Sequence, residues 1–248
     1  VRHANTKLAD IHLVASEDAR ERVIKLGEEE ASVINTGCPS IDLAKEIKDS
    51  PELDFNPIDK YGGVGLVNDW KKDGYIVVMQ HPVTTEYEMA KNDVIKTLHA
   101  VNELNIPTFW FWPNVDAGSD GTSNGIRTFR ELNKPQNIHF FKNMEPQDFL
   151  RLLVNSKCLI GNSSVGIREC SFLGVPVVNI GTRQNRRERG NNVLDVDYDK
   201  ELIKSAIINQ IDNKDIESSS IYGNGDSGKV IASILSDMPL TYHKTITY

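Results

Sequence analysis

The stretch that decides the fold of this chain is Cys158-Leu159-Ile160-Gly161-Asn162-Ser163-Ser164, followed by Val165-Gly166-Ile167-Arg168-Glu169-Cys170. A short apolar run ends in a small, polar turn, and the pattern after the turn predicts a helix over residues 164–173, with Ser163 or Ser164 as its N-cap. In an open α/β sheet, such a unit presents backbone N–H groups and a helix N-terminus to an anion. We therefore expect a phosphate at this turn, with Glu169 placed to hold a sugar diol of the same ligand.

Short apolar runs alternate with helical patterns over most of the chain. The strand patterns cover residues 11–15, 33–36, 75–79, 108–112, 138–141, 158–160, 177–180 and 193–196. The helical patterns cover residues 17–26, 41–48, 86–104, 124–132, 146–154, 164–173, 200–211 and 229–235. The strands are continuous apolar runs, which is typical of a parallel sheet that helices cover on both faces. We predict an α/β fold with a doubly wound, Rossmann-like parallel sheet, and a linker over residues 49–61, where prolines and aspartates show no period.

Composition excludes several classes of function. The formal net charge of −7, from 28 basic and 35 acidic residues, provides no global positive field, so we expect neither nucleic acid nor a membrane surface as a partner. No apolar run approaches the length of a transmembrane helix. Three cysteines without CxxC spacing predict free, buried thiols in a reducing cytoplasm rather than disulfides or a zinc site. The six histidines lack ligand spacing, so no metal and no cofactor are predicted.

Polar residues follow four further strand patterns, at the edge of the sheet where ligands of open α/β folds bind. His81 follows residues 75–79, and its titration near neutrality makes it a functional candidate. Asn114 follows residues 108–112, although Asn is also a routine turn residue. Arg183 follows residues 177–180 and is predicted to contact a phosphate or leaving group.

The fourth cluster is the loop around Asn143, after residues 138–141, with Phe149 in the helix that follows. This loop is placed to contact a nucleotide base through backbone groups while Phe149 covers the face of the base. The alternative for Phe149 is a place in the apolar core, which is where aromatic side chains are more often found.

With these clusters in view, the chain resembles the hydrolysing UDP-N-acetylglucosamine 2-epimerases of sialic-acid and related nonulosonate biosynthesis. The motifs that carry the resemblance occur in the family's order: Arg2-His3-Ala4, Gly37-Cys38-Pro39-Ser40, Gln80-His81-Pro82, Thr84-Thr85-Glu86, Pro113-Asn114-Val115-Asp116-Ala117-Gly118-Ser119, Gly161-Asn162-Ser163-Ser164, Gly181-Thr182-Arg183-Gln184 and Tyr222-Gly223-Asn224-Gly225. The non-hydrolysing epimerases carry a glycine-rich turn where Ser163-Ser164 stands and lack the Gly-Thr-Arg-Gln run. This places the chain with the hydrolysing branch.

The resemblance implies a glycosyltransferase-B-like fold and a reaction that releases UDP and the 2-epimer, N-acetylmannosamine. UDP would leave by elimination to a 2-acetamidoglucal, to which water then adds. The residues that the resemblance assigns to this chemistry are Ser163, Ser164 and Arg183 for the phosphates, Glu169 for the ribose, the Asn143 loop and Phe149 for the uracil, His81 and Asn114 near the diphosphate and sugar, and Arg2 reaching in from another domain. His81 and Arg2 are the candidate catalytic residues.

The resemblance also implies a domain division. In the family, the catalytic carboxylates precede the Arg2-His3-Ala4 run. We therefore expect residues 1–55 to be the end of a partial N-terminal domain plus the linker, residues 56–222 a complete nucleotide-binding domain, and residues 223–248 a helix that crosses back to the first domain. On this interpretation, the chain by itself binds UDP without turnover. A homodimer or homotetramer is implied in the same way.

Two other kinds of protein remain open from the sequence. A glycosyltransferase of the same fold would use the same nucleotide cleft and pass the sugar to an acceptor, and a non-catalytic protein would bind the sugar nucleotide only. Within the epimerase interpretation, a UDP-linked diacetamido-trideoxyhexose or a GDP-linked sugar would use nearly the same residues.

Overall fold

The computed structural model describes residues 2–213, 215–238 and 244, except for the side chain of Arg2. The strands are β1 (His12–Val14), β2 (Val33–Asn35), β3 (Val64–Leu66), β4 (Ile76–Met79), β5 (Thr108–Phe111), β6 (Ile138–Phe141), β7 (Leu159–Gly161), β8 (Val177–Ile180) and β9 (Val193–Val196). The helices are α1 (Arg2–Leu8), α2 (Glu17–Lys25), α3 (Pro39–Asp49), α4 (Pro57–Tyr61), α5 (Trp70–Asp73), α6 (Ala90–Leu104), α7 (Ser119–Asn133), α8 (Pro146–Val154), α9 (Glu169–Leu173), α10 (Lys200–Asp212) and α11 (Ser227–Asp237).

The main sheet has seven strands in the order β3-β6-β5-β4-β7-β8-β9. Strands β4 to β9 pair in parallel, whereas β3 pairs antiparallel with β6 at one edge. The chain runs outward from β4 to β6 and then returns to the other side of β4 with β7, so the strand order reverses between β4 and β7. The predicted α/β, doubly wound sheet is confirmed, with one antiparallel edge strand added. Strands β1 and β2 form a separate parallel pair near the start of the chain.

Apolar side chains are buried on both faces of this sheet, which explains why the strands read as continuous apolar runs. One core cluster joins Val78 and Trp110 to Leu98 of α6 and Ile207 of α10. The opposite cluster includes the side chains of Val77, Phe109, Phe141, Leu153 and Ala44. The three cysteines, Cys38, Cys158 and Cys170, are free and buried, as predicted.

The predicted helix over residues 164–173 is wrong at its start. Residues 164–168 form turns, and α9 begins at Glu169. The N–H of Arg168 donates to the carbonyl of Ser164, four residues earlier, at 3.2 Å, but the N–H of Cys170 donates to the carbonyl of Val165, five residues earlier, at 2.9 Å. The turns bury Val165 and Ile167 together, and a helix would point residues two apart in different directions. Packing against the core therefore overrides the N-cap pattern.

Three other predictions of local structure differ from the fold. α6 begins at Ala90 rather than residue 86, after a short 3-10 turn, and α7 begins at Ser119 rather than residue 124. The predicted linker ends in α4. Strand β3 was not predicted, because a three-residue strand with a central Gly65 has neither the apolar run nor the β-branched content that marks a strand.

The C-terminal part of the chain contacts its beginning. The Asp42 carboxylate of α3 accepts the N–H groups of Ser227 and Gly228, at 2.9 Å and 2.7 Å, and so caps α11. Most of the tail predicted to cross back, residues 239–248, lies outside the described residues. Lys244 is described, and its Nζ lies 2.6 Å from Glu28 Oε2 and donates to the carbonyl of Thr6 at 2.9 Å. The domain limits at residues 55 and 222 stay predictions.

Candidate functional site

A cleft of about 470 Å³ opens beside the switch between β4 and β7, beyond the carboxyl ends of the strands. This is the position at which doubly wound sheets bind their ligands. The loops after β4, β5, β7 and β8 line it, with the residues Pro82, Val83, Thr84, Thr85, Glu86, Asp116, Ser164, Thr182, Arg183, Gln184 and Arg187. Of the five polar clusters predicted at this edge, the His81, Asn114, Ser164 and Arg183 loops therefore meet at the cleft, and the Asn143 loop does not contribute to its lining.

Another cavity, of about 360 Å³, lies elsewhere on the protein and includes Pro135 and Gln136, which precede β6. It therefore opens near the amino ends of the strands. Because ligands of open parallel sheets bind at the carboxyl ends, the cleft at the switch point is the candidate site.

Gly161 brings the ends of β7 and β4 together. Its φ of 133° is a conformation that residues with a side chain rarely adopt, and an added Cβ would overlap the carbonyl oxygen of Met79. The next residue, Asn162, donates its N–H to the same carbonyl at 3.2 Å. The glycine at the end of β7 thus allows the close approach that shapes the floor of the cleft.

His81 is held as a neutral imidazole. Its Nδ1 accepts the backbone N–H of Asn114 at 3.2 Å, which leaves the proton of the neutral ring on Nε2. Burial, aided by the positive charge of Arg183 and opposed by Asp116, lowers the pKa of His81 to about 4. The predicted titration near neutrality is wrong. His81 is instead a hydrogen-bond donor that stays uncharged at neutral pH.

Arg183 provides a fixed positive charge in the wall of the cleft. Its Nη1 donates to the carbonyl of Asn162 at 3.2 Å, and its Nη2 lies 3.4 Å from Asp116 Oδ2. Asp116 also accepts the side-chain amide of Asn114 at 2.6 Å, so Asn114 supports the cleft from an exposed position behind its lining. The guanidinium is therefore held by two acceptors while it faces the cleft.

The serine turn contributes Ser164 to the lining, and its Oγ accepts from Arg168 Nη2 at 3.1 Å. The serines do not cap α9 itself, whose N-cap is Arg168, but Ser163 Oγ accepts the N–H of Val165 at 3.5 Å at the start of the turns that precede this helix. Glu169 is 7% exposed and lies 3.6 Å from Arg168 Nε. Among the described residues, its buried Oε2 has no hydrogen-bond partner.

Among the described side chains, Ser164 and Arg183 are the predicted site residues that line the cleft, whereas its lining does not include His81, Asn114, Asn143, Phe149, Ser163 and Glu169. Asn143 is exposed after β6, two strands away from β4, and Phe149 packs edge-on against Phe111 with ring centroids 4.9 Å apart. Phe149 is thus partly buried against the core, and its role at a nucleotide base stays a prediction. Arg2 begins α1, but its side chain lies outside the described residues.

Sequence reasoning missed the residues that join the loops. Thr182 Oγ1 donates to Glu86 Oε1 at 2.6 Å and so connects the loop after β8 with the loop after β4. Gln184 is 1% exposed, and its Nε2 donates to the carbonyl of Asn162 at 2.7 Å. Thr182 and Gln184 were visible in the Gly-Thr-Arg-Gln run, but their partners are distant in sequence.

With the geometry established, the sequence was compared with known proteins. Residues 1–236 match the protein family described as UDP-N-acetylglucosamine 2-epimerase. The chain belongs to this family. It is 31% identical to the UDP-N,N'-diacetylbacillosamine 2-epimerase (hydrolyzing) of Legionella pneumophila, over 97% of the chain and 61% of that protein. It is also 31% identical to the UDP-N-acetylglucosamine 2-epimerase of Neisseria meningitidis, over 92% of the chain and 57% of that protein.

A solved structure of the same kind supports the glycosyltransferase-B-like fold. The UDP-GlcNAc 2-epimerase of Methanocaldococcus jannaschii, in complex with UDP-GlcNAc and UDP, superposes with a TM-score of 0.71 at 15% identity, over 93% of this chain and 62% of that one. The chain thus spans about three fifths of the length of these relatives. No described helix combines the length and apolar character needed to span a bilayer.

Proposed function

We propose that the cleft binds the nucleotide of a UDP-sugar, and that the whole protein is a hydrolysing 2-epimerase. It would convert UDP-N-acetylglucosamine, or a close UDP-acetamido sugar, to UDP and the 2-epimer by elimination of UDP and hydration of a 2-acetamidoglucal. The observation that carries the proposal is the meeting of Arg183, Ser164 and the loop of neutral His81 at the switch point.

The diphosphate is the part of the ligand for which the site provides the most suitable groups, a positive charge and several hydrogen-bond donors. Arg183 supplies a permanent positive charge with several N–H donors, and the hydroxyl groups of Ser163 and Ser164 supply neutral donors. His81 Nε2–H adds a donor that brings no charge of its own. Elimination places extra negative charge on the departing UDP, and fixed donors aimed at that charge lower the barrier.

The ribose is assigned to Glu169. A carboxylate accepts two hydroxyl groups, and the buried Oε2 of Glu169 lacks a donor among the described residues. Binding a diol would satisfy this oxygen. The uracil is assigned to the Asn143 loop and Phe149, which requires Phe149 to remain half-buried against Phe111 while its free edge meets the base. Arg2 completes the proposed site from the first helix.

The first experiment measures UDP binding to the chain by calorimetry, with an Arg183→Ala variant and a matched Arg127→Ala control. Arg127 is an exposed arginine beside the other cavity, so its loss changes the net charge equally. We expect Arg183→Ala to weaken binding by at least about tenfold, since a charge-assisted hydrogen bond contributes about 1.5–3 kcal/mol, and Arg127→Ala to leave it unchanged. Equal affinities for all three proteins would overturn the assignment of the cleft.

The second experiment tests the reaction with the whole protein. Incubation with the UDP-sugar alone, followed by NMR of the products, should show free UDP and free 2-epimerised sugar. A requirement for an acceptor molecule would identify a glycosyltransferase instead. Binding without any turnover would identify a sugar-nucleotide-binding protein.

A diacetamido sugar is the second candidate substrate, and the name of the Legionella pneumophila relative is the observation that favours it. The same NMR assay distinguishes the two, because a UDP-diacetamido-trideoxyhexose and UDP-N-acetylglucosamine give different free sugars. The substrate with the higher kcat/KM is the one for which the site is built.

A further inference from the structure

Asn162 is fully buried directly after β7, and its side-chain amide holds the backbone of His81 by two hydrogen bonds. Its Oδ1 accepts the His81 N–H at 2.8 Å, and its Nδ2 donates to the His81 carbonyl at 2.8 Å. The same Nδ2 lies 3.3 Å from the hydroxyl of Tyr198. The orientation of the amide follows from its partners, because the backbone N–H needs an acceptor and the carbonyl needs a donor.

The backbone carbonyl of Asn162 holds the opposite wall of the cleft. It accepts Arg183 Nη1 at 3.2 Å and Gln184 Nε2 at 2.7 Å. One buried residue therefore bonds to groups from the loops after β4 and β8 and to Tyr198 after β9. A shift of Asn162 would move His81 and Arg183 relative to each other.

We propose that Asn162 is a positioning residue, which aligns the His81 ring and the Arg183 guanidinium on the diphosphate of the ligand. The inference rests on the proposed function of the cleft and goes beyond it by naming a residue that the ligand does not touch. Asn162 has no exposed surface through which to contact a ligand. Its effect on binding is transmitted through the two side chains that it places.

Asn162→Asp provides a specific test, because the change keeps the shape of the side chain. An ionised carboxyl group still accepts the His81 N–H, but its second oxygen faces the His81 carbonyl and repels it. A protonated carboxyl group has one O–H donor and one acceptor, and so restores the pattern of the amide. Burial favours the protonated form, so lowering the pH should restore the alignment.

The groups that contact Asn162 do not change their charge between about pH 8 and about pH 5.5. The pKa of His81 is about 4, and burial raises the pKa of Tyr198 to about 12, where Asp93 and Glu86 add to the shift and the Asn162 bond and Arg183 oppose it. The Arg183 guanidinium stays charged. Changes in binding by the variant between about pH 8 and about pH 5.5, relative to the parent chain, therefore report on the new carboxyl group.

Gln210→Glu is the matched control. Gln210 is 3% exposed, and its Nε2 donates to the carbonyls of Val177 and Asn192, each at 2.8 Å. Like Asn162→Asp, the change buries a carboxyl group against backbone carbonyl oxygen, here against two such oxygens, but at α10 and away from the cleft lining. It should destabilise the fold without changing the alignment of His81 and Arg183.

The experiment measures UDP affinity by calorimetry for the parent chain and both variants at the two pH values. We expect Asn162→Asp to bind at least about tenfold more weakly than the parent at the higher pH, since a misaligned Arg183 loses a charge-assisted hydrogen bond of about 1.5–3 kcal/mol, and to approach the parent at the lower pH. Gln210→Glu should match the parent at both. Affinity of Asn162→Asp within twofold of the parent, or an equal loss in both variants, would overturn the proposal.

Two further measurements keep the test decisive. Nitrogen chemical shifts of the His81 ring without ligand should show the proton on Nε2 in the parent and a mixture of tautomers in Asn162→Asp, which a loss of stability alone would not produce. If Asn162→Asp does not fold, Tyr198→Phe takes its place in the test. This change removes one partner of the Asn162 amide, and we expect it to weaken UDP binding about threefold. No change in Tyr198→Phe would then count against the proposal. Failure of the parent chain to bind UDP would instead refute the proposed function, and the ligand-free shifts would still test Asn162.

Discussion

The neutral state of His81 has a measurable effect on stability. Its pKa is about 4 in the folded protein, where burial and Arg183 disfavour the imidazolium, and the ordinary value of 6.5 applies when the chain unfolds. Because the unfolded chain takes up the proton first as the pH falls, His81 makes the folded state less stable between pH 6.5 and about pH 4. The loss attributable to His81 is about 1 kcal/mol at pH 6, about 2 kcal/mol at pH 5 and about 3 kcal/mol well below the folded pKa.

The perturbation that isolates this effect is His81→Gln. Glutamine does not titrate, and its amide oxygen can accept the Asn114 N–H as Nδ1 does. Urea unfolding of both proteins at pH 7, 6 and 5 gives the free energy of unfolding at each pH, and the other titrating groups cancel in the difference. Between pH 7 and pH 5, the free energy of unfolding of the parent chain should fall by about 2 kcal/mol more than that of His81→Gln. A constant difference, or a relative gain by the parent at low pH, would refute a neutral His81.

Two shorter predictions concern the walls of the cleft. Gly161→Ala should lower the free energy of unfolding by more than about 3 kcal/mol in urea unfolding, because the Cβ overlaps Met79. Gly174→Ala is the control: Gly174 has left-handed φ and ψ of 72° and 26°, the nearest atom lies 4.0 Å from the added Cβ, and the change should cost only about 1 kcal/mol. Similar losses in both would show that β7 relaxes. Asp116→Asn should strengthen UDP binding by calorimetry by about threefold, since it removes the anion that competes for Arg183. Weaker binding would show that Asp116 supports the ligand instead.

The parallel strands were predictable because a strand that is buried on both faces has apolar residues at successive positions. Strand β6 was predicted at residues 138–141 and β8 at residues 177–180, and both have those limits in the structure. Each is buried on both faces, so a continuous apolar run is sufficient evidence. The start of α9 was not predictable in this way. Ser163-Ser164 has the composition of an N-cap, but the burial of Val165 and Ile167 decides the local backbone, and burial depends on the whole fold.

The site was predictable at the level of loops and not of contacts. A polar residue after a parallel strand must lie at the carboxyl edge, so the loops of His81, Ser164 and Arg183 were expected to meet, and they do. The charge state of His81 was predicted wrongly, because the burial of its ring and the nearby charge of Arg183 depend on the whole fold. The bond between Thr182 and Glu86 joins residues 96 positions apart, a distance over which no local pattern carries information.

The two carboxylates in the lining of the cleft, Glu86 and Asp116, bear on how an anion is bound by a chain of net charge −7. Both carboxylates in the lining already have partners: Glu86 accepts from Thr182, and Asp116 pairs with Arg183. A diphosphate must therefore share Arg183 with Asp116 or displace it, and only a ligand with more negative charge than one carboxylate gains from the exchange. Cleavage of a sugar–diphosphate bond adds charge to the departing group. Competition with Asp116 therefore reduces the affinity of Arg183 for weakly charged anions. It reduces the stabilisation of the more highly charged departing nucleotide by less.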